Sequence, residues 1–210
     1  MKELDLLKKD WKKNSDSFQQ ISEMEIYKMI HQKSSSIVKW ILIISILEIS
    51  FWTFSNLFIN TDDVLRKMNH PEIVMALEFL TYFNSVVVLI FIYIFYKNYK
   101  TISTIVATKS LMSAILKTRK TVQYYVWYNL GMIVVTAILS FFIAFVYNPD
   151  MEFLREKLAV NGKAMFVTIG ILVLVILGFF GLFWCFYRVL YGTLLRRLYA
   201  NYKELKKIDF

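Results

Sequence analysis

The sequence predicts an all-α fold: an integral membrane four-helix bundle with cytosolic helical extensions and both termini in the cytosol. Three observations carry this. Apolar stretches of bilayer-crossing length recur at about residues 37–59, 72–96, 124–146 and 164–187. The chain is 57% hydrophobic, well above what a soluble domain of 210 residues needs. Its bases are gathered in blocks beside the apolar stretches rather than spread along the chain.

Those blocks set the orientation. Residues 1–36 hold seven Lys or Arg, Lys97–Gln123 hold six with no acid, and the tail from Arg188 holds six. The two other connections hold two and three, offset by acids. By the positive-inside rule the three basic segments face the cytosol. This arrangement also accounts for the net charge of +9 without a nucleic-acid partner. Three regions follow: a cytosolic amphipathic region over 1–36, the membrane domain over 37–190 and a basic tail over 191–210.

The amino-terminal region begins with Leu4, Leu7 and Trp11 at helical spacing, with Lys8, Lys9, Lys12 and Lys13 on the other faces. A basic amphipathic helix of this kind either rests on anionic headgroups or docks a soluble partner. Ser22 and Glu25 form a capping box that starts a second helix, which nothing interrupts before Ile37. Residues 1–36 are too long and polar for the leading part of a cleavable signal peptide, so the first span is expected to be a retained anchor.

That span, Ile37–Ile59, carries Lys39 near its cytosolic end and Glu48 near its middle. Asn60 or Thr61 can cap a short helix in the following connection, and Pro71 suits the first turn of the next. The second span contains Glu78 and Asn84. Beyond it, Ile102, Ile105, Met112, Ile115 and Leu116 keep helical spacing, which predicts a cytosolic helical hairpin turning near Ala107–Ser110. The third span opens on the aromatic belt Tyr124, Tyr125, Trp127 and Tyr128. Asn148-Pro149-Asp150 then begins a short external helix that Asn161-Gly162 ends. In the fourth span Gly170, Gly178 and Gly181 are expected contact points between helices. Cys185, the one cysteine, reads as a small apolar packer.

Glu48 is the main candidate for chemistry. A carboxyl group at the bilayer centre costs roughly 2.5–3.5 kcal/mol on insertion scales, so it is expected to face other helices or water. Asn84, at similar depth, can hydrogen-bond it. The arrangement reads either as a proton-coupled or cation-binding site or as a polar clamp between helices or subunits. Glu78 lies nearer the outer side and can pair with water or Ser55. A second candidate surface, for lipid or partner, comprises Trp11, Lys8, Lys12, Lys117, Arg119, Lys120, Arg196 and Arg197. No catalytic, cofactor-binding or metal site is expected. His31 and His70 fall on opposite sides of the membrane, and no metalloprotease, nucleophile-elbow or phosphate-loop pattern occurs.

Four stretches together carry a family resemblance: ELDLLKKDWKK at the start, KSSSIVKWILIISILE into the first span, ILKTRKTVQYYVWYNL into the third, and NYKELKKIDF at the end. They resemble a group of small four-helix membrane proteins of flavobacteria, which implies a bacterial inner-membrane protein. Some of that group are labelled beta-carotene 15,15'-monooxygenase. Soluble carotenoid-cleaving enzymes hold iron with four histidines in a propeller of strands. Two histidines and no strand pattern do not support that chemistry here.

Three functions are left in competition. The first is a non-enzymatic tether or regulator that binds a cytosolic protein partner through its basic helices. The second is a proton-coupled small-molecule transporter using Glu48, similar to the small multidrug resistance exporters in the position of that one acid. The third is an assembly factor acting by helix packing, as a homo- or hetero-oligomer.

Overall fold

Helices without strands make up the regular structure of the residues that the computed structural model describes, 22–58 and 70–208. In chain order these are α1 (Glu23–Phe58), α2 (Pro71–Thr104) and α3 (Thr108–Tyr147), a 3-10 turn (Pro149–Met151), α4 (Glu152–Val160), α5 (Gly162–Tyr187), a π-helical turn (Arg188–Gly192) and α6 (Thr193–Ile208). Four helical runs are long and apolar enough to cross a membrane: Glu23–Ser55, Pro71–Thr104, Thr108–Tyr147 and Gly162–Lys207.

Local chemistry sets the helix ends. Ser22 Oγ accepts from the Glu25 amide at 3.2 Å, and Glu25 Oε2 accepts from the Ser22 amide at 3.1 Å, closing the expected capping box. Pro71 sits in the first turn of α2, where its missing N–H costs nothing. Asn148 Oδ1 accepts from the Asp150 amide at 3.0 Å ahead of α4. Asn161 ends α4 and caps α5, accepting from the Ala164 amide at 3.3 Å. Between α2 and α3 the hairpin turns at residues 105–107, at the near edge of the expected position. The helix expected around Leu4, Leu7 and Trp11, including Lys8 and Lys12, lies outside the described residues, as does the cap at Asn60 or Thr61.

The core is gathered at the basic end of the bundle. Buried positions run Ile30, Ser34, Val38, Ile41, Ser45 along α1 and Leu111, Ile115, Thr118, Val122, Tyr125 along α3. In α2 they are Val88, Phe95, Asn98 and Ile102, and at the carboxyl-terminal end Tyr187, Tyr191, Leu198, Asn201 and Leu205. Most steps are of three or four residues, the spacing of helices that pack side by side at small angles. Cross-contacts pair rising numbers on one helix with falling numbers on its neighbour. Ser34 accepts from Asn201 Nδ2 at 3.0 Å, and Arg119 lies over the ring of Tyr199. Neighbouring helices therefore run antiparallel. Two carbonyls at the carboxyl end of α2 and its cap find partners on α1: Ile102 O accepts from His31 Nε2 at 2.7 Å and Ile105 O from the Tyr27 hydroxyl at 3.2 Å.

The other half of the bundle is loosely packed. Tyr187 is the one buried residue of α5, whose outer surface is a sheath of exposed Leu, Ile, Val and Phe. A Cβ added at Gly170, Gly178 or Gly181 would meet nothing within 4 Å. The expectation that these glycines are helix contacts is thus not met within one chain, because α5 touches its neighbours through larger residues such as Phe180 and Phe183. At the far end Arg155 closes α3 by donating to the carbonyls of Phe145, at 3.0 Å, and Val146.

Candidate functional site

The heptad-like series of α1 continues from Ser45 to Glu48, so the acid occupies the next inward position after the packed core. Helix geometry brings tyrosines there from α3, the end of α5 and the π turn. Tyr125 follows Val122 on the buried face of α3, while Tyr187 and Tyr191 are one turn apart across the π turn that closes α5. Tyr125 donates to Glu48 Oε2 at 2.8 Å, Tyr191 to the same oxygen at 3.1 Å, and Tyr187 to Oε1. The π turn is the kind of local widening that re-aims side chains on a helix.

This trio of donors is the decisive geometry. A carboxylate is an acceptor with about four lone-pair positions, and three are taken. Charge-assisted hydrogen bonds of this kind are stronger than neutral ones. Glu48 therefore ties α1 to α3 and to the α5–α6 junction, as a polar clamp between helices does. Around it the tyrosines support one another edge-on or stacked: Tyr125 against Tyr191 at 5.8 Å, Tyr187 against Tyr191 at 6.0 Å, and Phe95 against Tyr125 at 5.4 Å between ring centroids.

The partners of Glu48 begin the third apolar stretch and end the fourth. Asn84 does not bond Glu48; its Oδ1 accepts from Tyr128 at 3.1 Å. Glu78 is exposed, with no hydrogen bond to Ser55 among the described residues.

Glu48 and Asn84 do line one cavity of about 480 Å³ between α1, α2, α3 and α5. This falls in the size range of small-molecule sites. Its walls combine Trp52, Phe141, Phe179 and Phe183 with Asn129, Thr136 and Ser140.

A family model described as Domain of unknown function (DUF8845) matches residues 24–210. The chain belongs to this family. Its matched region takes in α1 to α6, the clamp and the cavity. Neither the curated proteins nor the solved structures yield a match.

The remaining sequence-selected residues lie apart from the clamp. Lys117, Arg119, Lys120, Arg196 and Arg197 decorate α3 and α6 at the basic end. Lys117, Lys120, Arg196 and Arg197 are exposed, while the half-buried Arg119 shares the ring of Tyr199 with Lys203. Trp11, Lys8 and Lys12 are outside the described residues. The three tyrosines on Glu48 escaped the sequence reading, which assigned Tyr125 to an aromatic belt. Continuing the three-four series of buried positions through the span boundaries is the signal that finds them.

Proposed function

We propose that the protein is a non-enzymatic multi-pass protein of the bacterial inner membrane, with both termini cytosolic, whose basic bundle end holds a cytosolic protein by charge. One observation carries this reading. Among the described residues the exposed Lys and Arg of that end form no salt bridge, and the one ion pair, His70–Glu72, lies at the opposite end of the bundle. The reading also fits the packing. The apolar faces of the cytosolic helices are consumed by one another, with Ile102, Leu111, Leu198 and Leu205 fully buried. What they leave for a partner is a rigid basic surface, suited to an acidic protein face and to anionic headgroups nearby.

Histidine placement supports the non-enzymatic reading. His31 is engaged with Ile102 at one end and His70 with Glu72 at the other, so they cannot share an iron or zinc ion. That donor set does not suit a carotenoid-cleaving oxygenase.

The test is gentle extraction of the tagged protein at low salt, followed by native mass spectrometry. An acidic cytosolic protein is expected to co-purify, and to be lost when Lys117, Lys120, Arg196 and Arg197 are together replaced by Glu. A companion unaffected by the reversal, or none at all, contradicts the reading.

A further inference from the structure

We propose that the cavity above Glu48 is a binding site for a lipophilic cation: an amine, ammonium or phosphonium carried on an apolar body. The inference concerns a different surface from the basic bundle end and stands independently of it.

Charge is the first argument. The chain carries +9 overall, yet among the described residues the one charged side chain lining this cavity is an acid, Glu48. A cation that leaves water for this site meets an acidic side chain and, among the described lining residues, no base, which lowers the cost of burying charge.

Acceptor capacity is the second. Oε2 of Glu48 takes hydrogen bonds from Tyr125 and Tyr191, whereas Oε1 takes one, from Tyr187. One acceptor position of Oε1 is left on a residue that lines the cavity. A protonated amine can therefore donate to the carboxylate without dismantling the clamp, while a phosphonium, which has no hydrogen to donate, is held through its charge and the aromatic walls.

The walls are the third. Trp52 of α1 and Phe183 of α5 lie 6.2 Å apart between ring centroids, tilted by 37°, and Tyr125 and Tyr187 complete the rings beside the acid. Aromatic faces attract cations, most strongly where water is excluded. Asn84 and Asn129 add amides to the same lining. Farther from Glu48, Phe141 and Phe179 offer apolar surface to the ligand body. A purely structural clamp needs none of this surrounding volume.

Equilibrium dialysis of the full chain in phosphatidylcholine nanodiscs tests the site, with empty nanodiscs subtracted. Tetraphenylphosphonium is the probe, and triphenylphosphine oxide its uncharged comparator. Saturable binding of the cation is expected, at least about tenfold tighter than the neutral compound, the equivalent of roughly 1.4 kcal/mol. Glu48→Gln should remove that preference. Ala137→Trp, which fills the cavity away from the clamp, should abolish cation binding and leave thermal stability within a few degrees of the parent. Absence of saturable binding to the unmodified chain overturns the proposal. So does equal binding of cation and neutral compound, or full binding by Ala137→Trp. The last two readings stand even if Glu48→Gln does not fold.

Discussion

At Glu48 a single carboxylate does the joining that two or three apolar contacts do elsewhere in the bundle. Its three tyrosine hydroxyls come from elements 77, 139 and 143 residues away in sequence. Removing one hydroxyl should therefore be felt as a lost charge-assisted hydrogen bond. Tyr187→Phe and Tyr191→Phe are each expected to cost about 1.5–3 kcal/mol, measured by reversible unfolding in mixed micelles. Each should be strongly non-additive with Glu48→Leu, since both remove the same contact. Additive effects would mean that the tyrosines act through ring packing alone. This residue scale was only half legible. An acid in an apolar stretch announces itself, and Glu48 was found on that ground. Its partners were not, because a tyrosine near a span end satisfies the aromatic-belt pattern equally well.

Among the elements, the helix starts were the most legible part of the fold. The capping box at Ser22–Glu25, Pro71, Asn148-Pro149 and Asn161-Gly162 act within one turn, so the local sequence decides them. Ser22→Ala should cost about 0.5–2 kcal/mol at this helix end, visible as faster amide exchange over the first turn of α1. Less legible was how deeply each helix sits relative to the next. That offset is a property of several helices at once, which is why sequence alone gives the glycines of α5 neighbours that the single chain does not supply. The structure makes a sharp distinction here. Leu198 of α6 is wholly buried, and Leu198→Ala should cost about 2–5 kcal/mol. Leu174 of α5 is 69% exposed, and Leu174→Ala should change detergent stability by no more than about 0.5 kcal/mol. Comparable losses at the two sites would show that α5 is covered by something the single chain does not supply.

As a whole the molecule is two halves of different character on continuous helices. The basic end is a packed bundle with a buried Ser34–Asn201 hydrogen bond and a closed apolar core. Toward the other end the same helices expose apolar surface and separate around the cavity. The composition foretold both halves, since spans and basic blocks alternate along the chain. It could not foretell that the amphipathic faces of the basic segments pack against each other, leaving Lys117, Lys120, Arg196 and Arg197 exposed. Binding at that end should accordingly weaken with salt, by the screening that acts on exposed charges.

That account depends first on which way the basic end faces. In a Cys185→Ser background, Ser110→Cys marks the start of α3 beside the hairpin turn, and Lys163→Cys marks the first turn of α5 at the opposite end; both positions are exposed. A membrane-impermeant maleimide should label Ser110→Cys in inverted membrane vesicles and not in spheroplasts, with the reverse for Lys163→Cys. Labelling of Ser110→Cys in intact spheroplasts would put the basic bundle outside the cell, beyond reach of any cytosolic partner.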